Sequence, residues 1–168
     1  MSNYIPLTEY ATHMGINKGD NVFISSDANT LLFDTFENDA DFDLNHFIDG
    51  LIEAVGSDGT IIFPTYNWGF CKGKTFNYAK TSCKTGSLGT VALKRSDFRR
   101  TKHPIYSFAV FGKYQDELVA MNNKDSFGKD SPFHFMHEKN FINYIIDVSF
   151  LHCFTFIHYV EETSGAVF

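Results

Sequence analysis

The chain has 168 residues, 43% of them hydrophobic, and a formal net charge of −6 at pH 7. This length allows one domain with a sizeable core, so we predict a single domain over residues 1–168. The negative charge argues against a nucleic-acid partner, which is bound largely through clustered Lys and Arg, and favours a cationic or neutral small molecule.

The first half of the chain alternates helical and extended patterns. A helix is predicted over Leu7–Met14, and a first buried strand over Asn21–Ser26. Apolar residues at helical spacing predict a second helix between Asp43 and Gly56, and Gly59–Pro64 supplies the next strand. A strand, a helix and a strand within about 45 residues are typical of a parallel crossover unit.

The second half begins with a long connection. The stretch from Thr65 to Thr85 has no clear period and is too long for an ordinary connection, which makes it a candidate loop over a ligand. The later elements are predicted as helix, strand, loop, strand and helix over about Ser87–Arg95, Tyr106–Gly112, Asn122–Pro132, Ile142–Val148 and Thr155–Glu162. This alternation predicts an α/β fold with a layered, mixed or mostly parallel sheet flanked by helices.

Cysteine content and hydropathy bear on the compartment. No secretory signal is visible at the start, and no apolar run approaches the roughly 20 residues of a membrane span. Cys71, Cys83 and Cys153 are an odd number without a C-x-x-C pair, which fits a reducing compartment better than a disulfide framework. The sequence therefore predicts a cytoplasmic protein.

The last predicted helix carries a histidine and two glutamates at helical spacing. His158 and Glu161 are three residues apart, so their side chains share one face of a helix. A carboxylate on one imidazole nitrogen fixes the tautomer and raises the basicity of the other nitrogen, as a general base requires. Glu162 is an alternative partner. On spacing alone, an exposed ion pair without catalytic use is the plainer interpretation.

Two further segments offer polar groups to a ligand. Lys84–Thr90 lies where a loop meets a helix, so its backbone amides and the hydroxyls of Thr85 and Ser87 are candidates for an anion or oxyanion site. An ordinary helix start has the same pattern. Ser25 and Ser26 end the first strand, where open α/β sheets place ligands.

A third segment joins basic residues to a histidine. His103 precedes a proline, which holds it in an extended or turn conformation next to Arg100 and Lys102. A metal site is the other chemical interpretation, because His103, His152 and His158 are suitable ligand types together with a glutamate. No H-E-x-x-H or paired-cysteine spacing supports it, so we expect no metal.

The order of the segments is more specific than any single one. Six blocks follow one another along the chain: Lys18–Ser26, Gly56–Thr65, Thr85–Leu88, Arg100–Ala109, Asp130–Phe133 and Thr155–Glu161. In this order they resemble the aminoglycoside 3-N-acetyltransferase family over nearly the whole chain. The pyrophosphate loop of the GNAT acetyltransferases is not found, so the resemblance implies a fold distinct from theirs.

The resemblance implies transfer of an acetyl group from acetyl-coenzyme A to an amine of an aminoglycoside or amino sugar. His158 is similar to the catalytic base of the family, and Glu161 to its orienting partner. Residues from Tyr66 to Lys74 resemble family members of surface-polysaccharide gene clusters, which makes a polysaccharide precursor a candidate acceptor. The positions that resemble coenzyme contacts are Ser25, Ser26, Thr85, Gly86 and Ser87, with Arg100 and His103 as weaker candidates.

Two departures from the family keep alternatives open. The family is usually longer, and the chain corresponds to the N-terminal part of its fold, without the part that ordinarily completes the sheet and the acceptor pocket. Ile145–Phe150 also lacks the Gly-rich strand end that is frequent in the family. The alternatives are a truncated, non-catalytic remnant that at most binds coenzyme A, and a metal-dependent hydrolase using His103, His158 and Glu161. A homodimer is compatible with the resemblance, and no membrane partner is expected.

Overall fold

The computed structural model of the chain describes residues 4–28, 33, 36, 38 and 43–166. A 3-10 turn (Leu7–Glu9) leads into the first helix, and a second 3-10 turn (Phe70–Lys72) lies in the long connection. The helices and strands follow in the order α1 (Tyr10–His13), β1 (Asn21–Ser26), α2 (Leu44–Val55), β2 (Thr60–Pro64), α3 (Ser87–Ala92), β3 (Arg99–Arg100), β4 (Phe108–Gly112), α4 (Gln115–Ala120), α5 (Pro132–Glu138), β5 (Ile142–Ile146), α6 (Phe150–Cys153) and α7 (Phe156–Ser164).

The five strands form one mixed sheet in the order β3-β4-β2-β1-β5. β1 pairs in parallel with β2 and β5, whereas β4 runs antiparallel to β2 and β3. All residues of β2 and the four central residues of β1 are buried. Strands covered on both faces have continuous apolar runs rather than alternating ones, as these two do. The predicted α/β fold with a mixed sheet is confirmed, as is the parallel pairing of the first two strands.

The helix α2 is defined by signals that the sequence already contained. The Asp43 carboxylate accepts a hydrogen bond from the Asn45 amide at 2.9 Å and caps the first turn, and this bond is the largest of the effects that lower the pKa of Asp43. Gly56 ends the helix with a φ of 64°, a conformation that costs glycine little. The apolar face of α2 is buried against the sheet through Phe47, Leu51 and their neighbours.

Apolar side chains form one core on each face of the sheet. Ile61 and Phe63 of β2 belong to the first core, with α1, α2 and α3. Ile62, which lies between them, belongs to the second core together with Phe133 of α5 and Tyr159 of α7. This division follows from the strand period of two, because successive side chains point to opposite faces.

The structure adds elements that the sequence patterns did not predict. The helices α4, α5 and α6 and the two-residue strand β3 lie in segments that were predicted as loops or were left unassigned. The predicted strand Ile142–Val148 ends at Ile146, because Asp147 has a positive φ of 55°. None of the helices in the described part of the chain is long and apolar enough to cross a membrane.

Candidate active site

A cavity of about 360 Å³ lies at the carboxyl ends of the three parallel strands. Its wall follows β1, β2 and β5 into the segments beyond them: Ser25, Ser26, Asp27, Pro64, Tyr66, Trp68, Thr85, Gly86, Val148, His152, Cys153 and Thr155. The carboxyl ends of parallel strands are where open α/β sheets bind ligands. The structure thus brings four of the predicted coenzyme contacts, Ser25, Ser26, Thr85 and Gly86, to one cavity.

One polar atom in this wall, Ser25 Oγ, has no hydrogen-bond partner among the described residues, whereas the Tyr66 hydroxyl faces the Thr155 side chain. Both residues are only 3% exposed. Burial raises the pKa of the Tyr66 hydroxyl well above its ordinary value, although the nearby Thr155 side chain has a smaller opposite effect. The hydroxyl is therefore a neutral donor. An unpaired buried polar group costs roughly 1–3 kcal/mol, so a polar ligand that contacts Ser25 Oγ would be stabilised by this group.

The turn before α3 is fastened to the end of β2. Thr85 Oγ1 donates to the Pro64 carbonyl at 3.2 Å and accepts a hydrogen bond from the Tyr66 amide at 3.0 Å. Gly86 has a φ of 87°, and a Cβ atom at this position would lie 2.9 Å from the Ser26 carbonyl oxygen. A glycine therefore allows the turn to contact the end of β1, which forms one wall of the cavity.

The predicted histidine–carboxylate pair is formed on α7. His158 Nδ1 lies 3.0 Å from Glu161 Oε2, and the two side chains are 54% and 30% exposed. With Nδ1–H donating to the carboxylate, Nε2 is the nitrogen that accepts a proton. The helix begins directly after Thr155, which lines the cavity, whereas His158 and Glu161 lie outside the cavity wall. The Phe127 ring packs against the His158 ring at a centroid distance of 5.5 Å.

The second glutamate of α7 has different surroundings. Glu162 faces Asp125 rather than His158, and burial, followed by the Asp125 carboxylate, raises the pKa of Glu162. Of the two candidates, Glu161 is therefore the residue that contacts the histidine.

Arg100 does not line the cavity and is buried among main-chain acceptors. Its guanidinium donates to the Thr65 carbonyl at 3.0 Å, to the carbonyls of Thr81 and Tyr78, and to Ser107 Oγ. Its burial lowers the pKa of Arg100. These contacts join the segment 65–86 to β3 and β4, so Arg100 positions the cavity wall, and the geometry does not favour the predicted coenzyme contact.

His103 is likewise buried and lies outside the cavity wall. Its Nδ1 accepts hydrogen bonds from the amides of Tyr106 at 2.9 Å and Ile105 at 3.3 Å, which places the proton of the neutral ring on Nε2. Burial lowers the pKa of His103, so the ring stays neutral near pH 7. Ser87, the first residue of α3, is also outside the wall.

The histidines proposed for a metal-dependent hydrolase are not gathered. Within the described residues, the group of side chains with metal-ligating geometry is His134, His137 and Glu138, and it contains neither His103 nor His158. His134 and His137 instead share the Tyr159 hydroxyl, at 3.0 and 2.8 Å. The hydrolase alternative therefore has no ligand set at the candidate site.

Several wall residues were missed by the sequence analysis. Tyr66 and Trp68 follow β2 as Ser25 and Ser26 follow β1, so their position after a buried strand was a usable signal. His152 and Cys153 belong to α6, whose four residues are too few to give a helical period.

Solved structures share this fold at low sequence identity. The YokD protein from Bacillus subtilis aligns with a TM-score of 0.76 and 20% identity, over 93% of this chain and 68% of that one. AAC-IIIb in a binary complex with CoASH aligns with a TM-score of 0.73 and 16% identity, over 93% of this chain and 63% of that one. A mutant of the aminoglycoside acetyltransferase AAC(3)-IVa in complex with apramycin aligns with a TM-score of 0.63 and 18% identity, over 87% of this chain and 57% of that one. The chain thus spans between 57% and 68% of the length of these structures.

The fold is that of a class of acetyltransferases built on a mixed α/β sheet. The family model for aminoglycoside 3-N-acetyltransferases matches residues 33–167, which is most of the chain. The chain belongs to the aminoglycoside 3-N-acetyltransferase family, and the resemblance inferred from the six ordered blocks is confirmed. No curated protein sequence matches the chain.

Proposed function

We propose that the chain is an acetyl-CoA-dependent N-acetyltransferase acting on an amine of an aminoglycoside or amino sugar. The observation that supports this most is the 3.0 Å contact between His158 Nδ1 and Glu161 Oε2 on a helix that begins at the cavity wall. Family membership supplies the class of reaction, and this pair supplies the proton acceptor that the reaction requires.

The cavity at the strand ends suits the reactive end of acetyl-coenzyme A. The hydroxyl of Ser25 is a buried hydrogen-bonding group without a partner among the described residues, and the buried Tyr66 hydroxyl lies beside it in the wall. A few polar groups in a largely pre-formed concave site are what fixes the orientation of a small ligand. When bound, the coenzyme supplies an acetyl group activated as a thioester. The CoASH complex of AAC-IIIb, which has the same fold, supports coenzyme A as a ligand of the chain.

In the proposed mechanism, His158 is the general base. Glu161 accepts the Nδ1–H and holds the ring in the tautomer whose Nε2 lone pair is available. Nε2 takes a proton from the acceptor amine as that amine forms its new bond to the acetyl carbon. The Glu161 carboxylate stabilises the imidazolium that results, and the imidazolium then returns the proton to the thiolate leaving group.

The charges around His158 support a cationic acceptor. Asp125, Glu161 and Glu162 place three carboxyl groups on this side of α7, and carboxylates attract ammonium groups. The apramycin complex of AAC(3)-IVa supports an amino-sugar acceptor for this fold. A polysaccharide precursor is the narrower acceptor that the sequence resemblance favours.

The protein's surroundings are proposed on the same basis. Cys71, Cys83 and Cys153 are unbridged in the structure, and a cytoplasmic location fits a reaction that consumes acetyl-coenzyme A. The homodimer stays a prediction, which sedimentation velocity over a range of concentrations would test.

Thiol release from acetyl-coenzyme A, measured against a panel of amino sugars that includes apramycin, tests the proposed function. We expect His158→Gln to lower kcat/KM by about 10²–10⁴-fold, because a general base contributes about that factor. His46→Gln, an exposed histidine on α2, is the matched control and is expected to leave the rate unchanged. Thiol release that is unchanged in His158→Gln would overturn the assignment of the base.

A pair of neighbouring variants tests the orienting carboxylate. Glu161→Gln removes the negative charge and leaves a neutral amide oxygen to accept the Nδ1–H, so it is expected to lower kcat at least tenfold, by about the effect of a lost charged hydrogen bond. Glu162→Gln makes the same chemical change one residue away and is expected to leave kcat nearly unchanged, with its effect confined to the KM of a cationic acceptor. Acetyl-coenzyme A binding in calorimetry without thiol release for any amine would instead identify the chain as a non-catalytic remnant.

A further inference from the structure

A second cavity lies beside the candidate active site and shares one wall with it. The cavity has a volume of about 500 Å³ and is lined by residues of the segment 67–84 and by Pro104. Trp68 belongs to the walls of both cavities and is 43% exposed. A ligand in the second cavity is therefore adjacent to one in the active site.

The second cavity has a positive wall. Lys72, Lys74 and Lys84 line it, and no Asp or Glu is among the described residues of the wall. We therefore name it the lysine cavity. The segment 65–86 contains four lysines and no acidic residue, although the whole chain has a net charge of −6. Clefts lined by one sign of charge concentrate ligands of the opposite sign, so this cavity attracts anions within an acidic protein.

The lysine cavity is held in shape by hydrogen bonds within its own segment. The Asn67 side chain donates to the Ser82 carbonyl at 2.7 Å and accepts a hydrogen bond from the Gly69 amide at 2.8 Å. The Lys84 amide donates to the Tyr66 carbonyl at 2.9 Å. These bonds fix the two ends of the segment against each other. The backbone that carries the lysines is therefore fixed before a ligand binds, and binding requires less further ordering of the segment.

The same wall offers flat apolar surfaces. Trp68 and Phe70 are exposed large aromatic residues, at 43% and 53%. Phe76 lies with its ring 5.0 Å from the Arg100 guanidinium carbon. Aromatic side chains stack on planar rings such as nucleobases. Ammonium groups beside aromatic faces match a ligand that combines phosphate with a planar ring.

We propose that the lysine cavity binds the phosphate-bearing, nucleotide-like part of a substrate. This deepens the proposed function, on which the identity of the neighbouring site rests. Two sources share the chemistry: the nucleotide end of coenzyme A, and an acceptor amino sugar carried on a nucleoside diphosphate. A polycationic aminoglycoside does not fit this cavity, because three ammonium groups repel it.

Calorimetry with 3′,5′-ADP and with UDP tests the proposal at low salt. We expect at least one probe to bind, and expect Lys72→Ala/Lys74→Ala to weaken its binding at least tenfold. The control Lys80→Ala/Lys94→Ala removes the same charge from outside the cavity wall and is expected to change the affinity less than twofold. Circular dichroism verifies that both double variants are folded.

Competition identifies the source of the phosphate. A 3′,5′-ADP molecule that binds and is displaced by coenzyme A assigns the cavity to the coenzyme. A UDP molecule that binds without displacing coenzyme A assigns it to the acceptor. Binding by neither probe, or equal weakening in both double variants, would overturn the proposal. Probe binding is measured without acetyl transfer. If the probes bind but no thiol is released from acetyl-coenzyme A, the result contradicts the proposed function and leaves the lysine-cavity proposal supported.

Discussion

Adjacent residues on α7 have different roles because of what each one faces. Glu161 contacts His158 Nδ1 at 3.0 Å, whereas Glu162 faces Asp125. Spacings of three and four residues both place a carboxylate next to the histidine on a helix, so the sequence left the choice open. The choice depends on a loop residue more than 30 positions away, which no local pattern contains.

Burial of the Glu162 carboxyl, together with the neighbouring Asp125 carboxylate, predicts a pH-dependent stability. The pKa of Glu162 is raised above 4.5 in the folded chain, so the protonated form stabilises the fold fully below 4.5, and this contribution is lost as the pH rises through the folded pKa. Glu162→Gln is therefore expected to raise the Tm at pH 7 and to leave it unchanged near pH 4. Thermal unfolding followed by circular dichroism measures both values.

An exposed glutamate on α2 provides the control for this prediction. Glu53→Gln changes the net charge by the same amount away from Asp125, and is expected to shift the Tm less at pH 7. Equal shifts in the two variants would show that net charge, and not the contact with Asp125, accounts for the effect.

Single residues of the site were predictable to different degrees. Ser25 and Ser26 were identified because they end a buried strand, and the structure places both at the cavity. Arg100 and His103 were selected for their charge and chemistry, yet both are buried in contacts with main-chain groups. A sequence shows that a basic residue is present but not which carbonyl oxygens will surround it.

At the level of elements, the turn before α3 depends on the backbone of one glycine. Gly86→Ala forces a side chain into a φ of 87° and places its Cβ 2.9 Å from the Ser26 carbonyl oxygen. We expect a loss of about 1–3 kcal/mol in the free energy of unfolding, together with weaker binding of acetyl-coenzyme A as the cavity wall shifts. Urea unfolding and calorimetry measure the two effects.

Gly19 is a matched control for Gly86, because it has the same φ of 87° and no atom within 4 Å of an added Cβ. Gly19→Ala is expected to lower stability through backbone strain without changing the affinity for acetyl-coenzyme A. Equal affinities in the two variants would argue against a contribution of the turn to the coenzyme site.

The elements that sequence patterns missed are short or depend on pairing. Ser131 caps the helix α5, because its hydroxyl accepts a hydrogen bond from the His134 amide at 3.2 Å. Pro132 is the first residue of the helix. These are ordinary helix-start signals, but seven residues give too little periodicity to confirm them. β3 has two residues and exists only because β4 pairs with it.

At the scale of the whole molecule, one sheet joins two cores. The alternation of elements predicts an α/β fold, since each helix must cover an apolar sheet face. The strand order β3-β4-β2-β1-β5 and the antiparallel direction of β4 were not predictable, because they depend on pairings between distant segments. Periodicity assigns an element type, but it does not identify the neighbour of a strand.

The shared sheet predicts one cooperative unfolding transition. Phe47 and Phe133 are fully buried in the first and second core, respectively. Each Phe→Leu substitution is expected to lower the free energy of unfolding by about 1–2 kcal/mol and to leave the m-value unchanged, because both cores pack on β1 and β2. Phe150→Leu, at an exposed position, is expected to change stability by less than about 0.5 kcal/mol.

Urea unfolding followed by fluorescence and circular dichroism measures these effects. Coincident transitions in all three variants would support the single domain predicted for residues 1–168. A separate early transition in Phe133→Leu would indicate that the second core unfolds independently and would contradict this prediction.

The buried guanidinium of Arg100 has a consequence for how the side chains of the segment 65–86 can diversify. It bonds to carbonyl oxygens of Thr65, Tyr78 and Thr81, and nearly every amino acid would present the same carbonyl at those positions. Exposed side chains outside the hydrogen bonds of this segment, such as those of Trp68 and Lys72, can therefore be exchanged while its anchorage is retained. Libraries randomised at Trp68 and Lys72 are thus a direct test of which ligands the lysine cavity selects.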